Sequence, residues 1–447
     1  MTELSKEAVS KMLARGELPT VQLARKVDDS EPKVKVVESN LYEPKKSNLN
    51  DFVKYYRNRY DFLKNVLLNR PSTADAVSIG KVSYSGASQV TIIGMISDIQ
   101  SFPSGAVKLR MEDLSGTMSA IVSGKKEPEL LAQTEFLALD EVVALKGKLA
   151  GRTLFIDEII WPDVPNRTKK RASEEVYAAF SGDLHAGSNT FLPDKLNRFI
   201  KWLRAEQGNE KQREIARKTK YVFIQGDVVD GIGIYPGQEK ELHVKDIYKQ
   251  YDYVSEFISR IPSEKEVIIC PGNHDAMRLA EPQPPLQKDF AAKLYDLPNV
   301  TCVSNPSFIN IHGINNHPGF DILMYHGYSF DYFLEKVKGL RDAGGYSAPD
   351  KLIEFLLKRR HLAPSHKSTL TVPTRSDMLL IKRIPDIFTT GHIHKVKLAS
   401  YRGILTIASS CWQKNTSFQD RVGLKAEPAK VPIVNLQTMR ASVLDFN

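Results

Sequence analysis

Aspartate and histidine side chains placed two positions apart are the first residues of this chain whose spacing indicates chemistry. Asp183 and His185 follow the apolar-leaning run 176–180, and at the end of an extended strand both side chains point to the same side. His392 and His394 repeat this spacing. Carboxylate and imidazole groups together are suitable ligands for a metal such as manganese, zinc or iron. One such pair is a weak signal, and its strength depends on the clusters that accompany it.

Five clusters of candidate metal ligands lie within residues 181–394, each after a short apolar run. In chain order they are Ser-Gly-Asp-Leu-His at 181–185, Gly-Asp-Val-Val-Asp at 226–230, Gly-Asn-His-Asp at 272–275, His-Gly at 326–327 and Gly-His-Ile-His at 391–394. Ligands of layered α/β folds collect at the carboxyl ends of strands. Because each cluster begins where a strand is predicted to end, all five can converge on one site.

Hydrolysis of a phosphate ester at neutral pH needs the groups that these clusters supply. Two metals roughly 3.5–4 Å apart lower the pKa of bound water and hold the attacking and leaving oxygens. Asp227 is the candidate for a carboxylate that bridges the two metals. The remaining candidate ligands after Asp227 are the amide oxygen of Asn273 and the imidazoles of His326, His392 and His394.

Three residues beside the ligands are assigned to proton transfer and support. His274 adjoins Asn273 and therefore points elsewhere, which suits a proton donor better than a ligand. Asp230 and Asp275 are interpreted as carboxylates that orient the ligands or His274. An ordinary role of both as turn or cap carboxylates is the alternative.

The elements that must position these residues change character along the chain. Residues 1–30 predict a short helix, 28–50 a linker or extended arm, and 48–70 a second helix with a broad apolar stripe. Residues 78–165 predict five short strands and one helix, a pattern typical of an OB-type barrel. The barrel favours protein docking, since no series of exposed aromatic residues for stacking bases is evident. From residue 175 onward strands and helices alternate, which predicts a layered α/β domain.

The polar, basic stretch 166–175 marks a domain boundary. The predicted domains are an N-terminal helix and linker at 1–47, a helix with the barrel at 48–168, and a catalytic domain at 169–447. In the 48–70 helix, Arg57, Arg59 and Lys64 are expected to be solvated. The basic run 358–360 before His361 has three interpretations, namely steering of DNA, contact with a partner, or a solvated helix face.

Composition restricts the class of protein. A charge of +9 with 26% charged residues fits a globular protein and permits a polyanionic partner. Three widely spaced cysteines indicate buried thiols in a reducing compartment rather than a disulfide framework. No apolar run of about 18 residues and no secretion leader is recognised. The expectation is a cytoplasmic protein, associated with the nucleoid, without a membrane partner.

The motifs Asp-x-His, Gly-Asp-x-x-Asp, Gly-Asn-His-Asp, His and Gly-His-x-His, in this order, resemble those of the calcineurin-type metallophosphoesterases, a family that includes double-strand-break repair nucleases. The resemblance implies a two-sheet layered phosphoesterase fold and a site with two metal ions. It implies these ligand sets: Asp183, His185, Asp227 and His394 for one metal, and Asp227, Asn273, His326 and His392 for the other. His274 would stabilise the developing charge and protonate the leaving oxygen.

A closer resemblance lies in stretches that metal chemistry does not require. Residues 280–284, 360–364, 412–413 with 418–419, and 431–434 are similar to the small subunits of the archaeal family D DNA polymerase, as is the order of barrel and phosphoesterase. The resemblance covers residues 50–447. It implies a 3′-to-5′ exonuclease that pairs with a large polymerising subunit, polymerase activity arising only in that complex.

The sequence therefore predicts a proofreading exonuclease subunit that cleaves single-stranded or mismatched 3′ ends of DNA. The predicted cofactors are two divalent metal ions, manganese first, with iron or zinc as alternatives. Two other functions stay open. One is a structural scaffold for the polymerase large subunit, and the other is a small-molecule phosphoesterase.

Overall fold

The computed structural model describes residues 33–40, 46–84, 88–124, 128–314, 317–421 and 424–447. The helix predicted within residues 1–30 lies outside them. The strands are β1 (Lys33–Ser39), β2 (Gln89–Ser101), β3 (Val107–Asp113), β4 (Gly116–Val122), β5 (Val142–Ala150), β6 (Thr153–Ile160), β7 (Tyr177–Ser181), β8 (Thr219–Gln225), β9 (Glu266–Cys270), β10 (Val300–Cys302), β11 (Ser307–Ile314), β12 (His317–Met324), β13 (Ile387–Thr390), β14 (Lys397–Tyr401), β15 (Ile404–Ala408), β16 (Lys430–Asn435) and β17 (Arg440–Asp445). The helices are α1 (Leu49–Leu68), α2 (Pro128–Thr134), α3 (Pro193–Leu203), α4 (Glu210–Lys218), α5 (Ile247–Ile258), α6 (Lys288–Asp296), α7 (Phe330–Lys336), α8 (Lys338–Asp342), α9 (Pro349–Arg359) and α10 (Ser417–Arg421).

Strands β2 to β6 form a closed barrel in the order β2-β3-β4-β6-β5, with α2 between β4 and β5 along the chain. The alternating pattern that predicted β3 is confirmed, because Leu109 and Met111 are buried in the barrel and Arg110 is exposed. Helix α1 packs its apolar stripe on the outside of the barrel, where Leu63 and Leu67 share a cluster with residues of β2 and β5. Five strands and one helix in this region agree with the prediction.

The rest of the described chain contains two six-stranded sheets. The first sheet has the order β1-β11-β12-β13-β15-β14, and the second has the order β10-β9-β8-β7-β16-β17. Phe180 and Phe223 of the second sheet share one buried cluster with Ile309 and Ile322 of the first. The predicted alternation of strands and helices is thereby confirmed as mixed α/β structure with a separate barrel.

Parallel pairing places the five motifs at strand ends. Strands β7, β8 and β9 run parallel in the second sheet, and β12 and β13 run parallel in the first. Each of these five strands ends two or three residues before one of the candidate ligand clusters at 183–185, 227–230, 273–275, 326 and 392–394. The carboxyl ends of parallel strands meet at one edge of a sheet, so this arrangement positions the site.

Part of the stretch predicted as a linker is a strand. Residues Lys33–Ser39 form β1, which pairs antiparallel with β11 at the edge of the first sheet. The physical reason is the alternation of Lys33-Val34-Lys35-Val36, which directs Val34 and Val36 toward the cluster between the sheets. The segments on either side of β1 are charged and contain proline, and their composition led to the prediction of a linker for the whole stretch.

The expectation of solvated basic residues in α1 is confirmed at Arg57, which is exposed, and is wrong at Arg59. Arg59 of α1 is 2% exposed and forms an ion pair with Asp377 at 2.7 Å. Arg359, Arg360 and His361 are also buried, so neither DNA steering nor a solvated face applies to them. These side chains act as internal donors to carboxylates and carbonyls instead.

Among the described residues, no helix combines the length and the apolar character needed to cross a bilayer.

Candidate metal centre

Every residue that the sequence predicted as a metal ligand lies in one buried region at the strand ends. Three sets of residues could each hold a metal ion, because within each set the potential ligand atoms all lie within 4.8 Å of one another. The sets are Asp183 with His185 and His394, His185 with Asp227 and His274, and Asp227 with His326 and His392. The structure therefore brings together residues separated by as many as 211 positions, counted from 183 to 394.

The backbone is left-handed at five of the predicted ligands. The φ angles are 50° at Asp183, 51° at His185, 47° at Asp227, 70° at His392 and 56° at His394. Non-glycine residues rarely adopt this conformation, which costs about 1–3 kcal/mol and persists only where the surroundings impose it. Strain of this kind gathers at functional sites, and here it coincides with the candidate ligands.

The first group of side chains joins the loop after β7 with the end of the loop after β13. The Nε2 atoms of His185 and His394 lie 3.1 Å apart, and Nε2 of His394 lies 3.4 Å from Oδ1 of Asp183. His185 bonds through Nδ1 to Asp230 at 3.0 Å, which leaves its Nε2 facing the group. A second imidazole nitrogen held by a carboxylate is the usual support of a metal-binding histidine.

The second group joins loops from both sheets. The amide oxygen of Asn273 lies 3.0 Å from Nε2 of His326 and 3.0 Å from Nδ1 of His392. Nδ1 of His326 donates to the backbone carbonyl of Gln225 at 2.6 Å, which places a proton on Nδ1 and directs Nε2 toward the group. Nitrogen and oxygen donors thus point at a common centre.

Asp227 stands between the two groups. Its Oδ2 lies 3.3 Å from Nε2 of His326 and 3.8 Å from Nε2 of His185. Burial opposes ionisation, but the neighbouring histidines hold the pKa of Asp227 well below its usual range. Burial lowers the pKa of His326, whereas Asp227 raises it to about 10. The carboxylate is therefore ionised, and the adjacent ring nitrogen attracts a cation, whether a proton or a metal.

His274 is the most exposed of these histidines, with 17% of its side chain accessible. Its Nδ1 donates to the backbone carbonyl of Asp230 at 2.8 Å, and its backbone N–H donates to Asp227 at 2.8 Å. The ring packs edge-on against His185, with centroids 4.7 Å apart. His274 therefore lies against the candidate ligand groups, contrary to the expectation that it points away from them. It also lines a cavity beside these groups.

The two supporting carboxylates differ in what they contact. Asp230 contacts His185 directly and is itself held by Gln413 at 3.1 Å. Asp275 accepts from the backbone N–H groups of Gly272 at 2.8 Å and Val228 at 3.4 Å, and from the hydroxyl of Tyr251 at 3.2 Å. Burial, followed by the charge of Asp227, raises the pKa of Asp275 to about 7. Asp275 therefore ties the loops after β8 and β9 to each other.

Two glycines have no room for a side chain at the centre. A Cβ on Gly272 would lie 2.2 Å from Oδ1 of Asp227, and a Cβ on Gly391 would lie 2.5 Å from Oδ2 of Asp183. Real Cβ atoms do not approach a carboxylate oxygen this closely, so the ligand itself would have to move. Close approach of backbone to ligand is the reason for glycine at these two positions.

Sequence reasoning missed several residues of the site. Asp331, in the first turn of α7, bonds to Nε2 of His392 at 3.0 Å and so fixes that ring. Gln419 of α10 lies 3.1 Å from Nδ1 of His394. A cavity of about 500 Å³ opens above the centre. Its further lining residues include Tyr235, Tyr346, Lys395 and Lys425. No motif spacing marks them, because they come from unrelated loops and helices.

The donor set fits divalent metals of the first transition row. The described centre offers carboxylate and amide oxygens and imidazole nitrogens, which suit manganese, iron or zinc, and no thiolate. Each of the imidazoles of His185, His326 and His392 has one nitrogen bonded outside the groups and the other directed into them. This division of the two ring nitrogens is expected of metal-binding histidines.

Two sheets whose parallel strands end in clustered Asp, Asn and His side chains define an α/β protein with a candidate metal centre. Comparison with known proteins is more specific. The chain is 37% identical over 387 residues to the DNA polymerase II small subunit of Archaeoglobus fulgidus, in an alignment that covers 86% of this chain and 75% of that one. It is 36% identical over 400 residues to the DNA polymerase II small subunit of Methanothermobacter thermautotrophicus, with 89% and 80% covered.

The chain belongs to the family of archaeal DNA polymerase II small subunits. Residues 238–397 also match the DNA polymerase alpha/epsilon B-subunit family. Among solved structures, an archaeal phosphodiesterase aligns with 60% of this chain and 99% of its own length, at 12% identity and a TM-score of 0.27, a likeness too low to support an argument. The resemblance drawn from stretches such as 280–284 is confirmed by the relatives.

Proposed function

We propose that this polymerase small subunit is a 3′-to-5′ proofreading exonuclease that hydrolyses DNA phosphodiesters with two divalent metal ions. The observation that carries the proposal is the convergence of imidazole nitrogens and carboxylate and amide oxygens from five strand ends into two groups that share Asp227.

The ligand assignment follows the two groups. Asp183, His185 and His394 would hold one metal, Asn273, His326 and His392 the other, and Asp227 would bridge them. When bound, the metals would activate water and stabilise charge on the phosphodiester. Manganese is the proposed ion, with iron or zinc as alternatives that the donor set also suits.

His274 is the proposed catalytic side chain. Its Nδ1 is held by the carbonyl of Asp230, so its Nε2 is the nitrogen available for substrate, and the ring borders the cavity. A histidine in this position would stabilise negative charge on the phosphate and give a proton to the departing oxygen. Asp230 would orient both His185 and His274, and Asp275 would keep the loops after β8 and β9 in place.

The barrel is assigned to assembly. Its strand order and the position of α2 support an OB-type barrel. We propose residues 48–168 and 169–447 as two domains, and assign β1 of the segment 1–47 to the second of them, because β1 completes the first sheet there. The large polymerising subunit is the proposed partner, because the relatives are named small subunits of a DNA polymerase. A role in replication would place the protein at the chromosome in the cytoplasm.

The test uses the purified chain with manganese, an end-labelled single strand and a primer with a mismatched 3′ end. Stepwise shortening from the 3′ end is expected, with loss of roughly a hundredfold or more in His392→Ala and after chelation of metal. His243→Ala is the matched control, because His243 is exposed and belongs to neither group. Full activity of His392→Ala would refute the metal assignment.

Two other outcomes separate the alternatives. Cleavage that appears only after the large subunit is added would mean that the partner completes the site. No cleavage of DNA, either with or without that subunit, would favour the scaffold function. Hydrolysis of an aryl phosphate without any cleavage of oligonucleotides would indicate a small-molecule phosphoesterase.

A further inference from the structure

Two buried side-chain amides lie beneath the second ligand group without belonging to it. Gln283 lies in the segment between β9 and α6, and Asn305 lies between β10 and β11. Gln283 is 2% exposed and Asn305 is fully buried. The amide of Asn305 donates to that of Gln283, Nδ2 to Oε1, at 2.8 Å. We call this pair the amide bridge.

One end of the amide bridge holds the backbone of His326. The N–H of His326 donates to Oδ1 of Asn305 at 2.8 Å. The Nδ2 group of Asn305 uses its second hydrogen on Oε1 of Glu281, at 3.2 Å. The partners leave only one orientation for the Asn305 amide, because its oxygen must face an N–H and its nitrogen two acceptors.

The other end holds the loop that carries Asn273. Nε2 of Gln283 donates to the carbonyl of Gly272 at 3.1 Å and to that of Arg278 at 3.2 Å. Gly272 is the residue directly before Asn273. The two main chains of the bridge also pair, with Gln283 N–H to Asn305 O at 2.7 Å and the reverse bond at 3.0 Å. The side chains and backbones therefore form one fully bonded unit.

We infer that the amide bridge is a positioning element that sets Asn273 against His326. This inference rests on the proposed function, which assigns both residues to one metal. Their donor atoms lie 3.0 Å apart, although Asn273 follows β9 of the second sheet and His326 follows β12 of the first. The bridge connects these two loops directly, from the Gly272 carbonyl to the His326 N–H.

Packing alone does not require amides here. Leucine and methionine would fill similar volumes at these buried positions, but they would leave the His326 N–H and the Gly272 carbonyl without these partners, at about 1–3 kcal/mol for each unsatisfied group. The amides are needed where two loop backbones must keep one separation, because each hydrogen bond fixes a distance and a direction. Groups that support metal ligands in this way typically alter metal affinity by about 10–100-fold when lost.

The experiment measures binding of Mn²⁺ alone to the full chain, by calorimetry and by the electron paramagnetic resonance signal, without DNA. The variants are Asn305→Leu and Gln283→Met, and the control is Asn299→Leu. Asn299 is likewise buried at 6% exposure and donates to two backbone carbonyls, of Pro262 and Lys265, away from the centre. Thermal unfolding is recorded for all three.

The wild-type chain is expected to bind two Mn²⁺ ions with a spin-coupled signal. In Asn305→Leu one of the two affinities should fall about 10–100-fold and the coupled signal should disappear, while the other affinity changes less than about twofold. Gln283→Met should act in the same direction, and it carries the test if Asn305→Leu does not fold. Asn299→Leu should lose thermal stability only.

Unchanged Mn²⁺ binding in folded Gln283→Met and Asn305→Leu would overturn the inference. Equal weakening of both ions would also overturn it, because that result indicates general damage rather than positioning of one ligand pair. If the wild-type chain itself binds no Mn²⁺, the proposed metal function fails, and this inference fails with it. The wild-type measurement therefore distinguishes the two failures.

Discussion

The ion pair between Arg59 and Asp377 ties helix α1 to the part of the chain that carries the candidate metal centre. The Nε–Oδ2 distance is 2.7 Å, and the side chains are 2% and 0% exposed. Asp377 also accepts from the hydroxyl of Tyr55 at 2.7 Å and contacts Nε2 of His361 at 2.8 Å. One carboxylate thus satisfies three buried side chains, which gives its removal a large expected effect.

The size of that effect follows from the geometry. Charge centres about 4 Å apart attract each other by about 4 kcal/mol at an effective dielectric constant of about 20. Asp377→Asn keeps the volume but leaves the guanidinium of Arg59 buried without a counter-charge, and breaking one side of a buried pair costs about 3–5 kcal/mol. Arg59→Met should cost a similar amount. The double variant Arg59→Met with Asp377→Asn should cost about 2 kcal/mol less than the sum, because neither charge is then stranded.

Urea unfolding of the four proteins at pH 7, followed by circular dichroism, measures these free energies of unfolding. Lys293→Ala is the control, since Lys293 pairs with Asp252 at 2.8 Å with both side chains about half exposed, and such pairs contribute about 0–1 kcal/mol. Additive losses to within about 0.5 kcal/mol would refute the reasoning, as would a single-variant loss no larger than that of the control.

Three further predictions concern the centre. Asp331→Asn should weaken Mn²⁺ binding about 10–100-fold, because the carboxylate holds Nε2 of His392 at 3.0 Å; Mn²⁺ titration of the variant checks this. Burial raises the pKa of Glu281 to about 7, so its contribution to stability is full below the unfolded pKa of about 4.3 and is lost as pH rises through 7. Glu281→Gln should therefore reduce the fall in the free energy of unfolding between about pH 4 and 8 by about 3 kcal/mol. Urea unfolding at a series of pH values measures this fall, and the same fall in the variant and the wild type would contradict the prediction. Gly391→Ala, whose Cβ would lie 2.5 Å from a proposed ligand oxygen, should abolish nuclease activity, whereas Gly116→Ala, with its nearest contact at 3.8 Å, should not.

The convergence of the candidate ligands was predictable because their signal is local. Asp183, Asp227 and His326 each follow an apolar run, and the types of side chain together with strand ends suffice to place them in one site. The barrel was predictable for the same reason, since alternation within β3 and Thr153–Ile160 is visible over a few residues. Expectations failed where a strand was short and lay between polar segments, as in β1.

Supporting residues were not predictable, because nothing local distinguishes them. Asp331 lies in the first turn of α7, where an acidic residue is favourable for the helix dipole whatever its neighbour. Arg59 meets Asp377 across 318 positions, and Gln283 meets Asn305 across 22. The local sequence at each position is compatible with a solvated side chain. Only the packing of the two sheets and of α1 reveals their partners.

The strained backbone explains why local rules and the fold disagree at this centre. Asp183, His185, Asp227, His392 and His394 all adopt left-handed φ angles, which are uncommon for residues other than glycine even though Asp and His adopt them more often than most. At about 1–3 kcal/mol each, these conformations cannot be held by the loops alone and must be imposed by the surrounding core and bonds. Contacts such as Asp275 to the N–H of two loops and the bond from the His392 N–H to Asp183 at 2.9 Å supply that constraint. The packed sheets therefore contribute directly to the candidate metal centre, because they hold the donor atoms in positions that an unconstrained loop would not maintain.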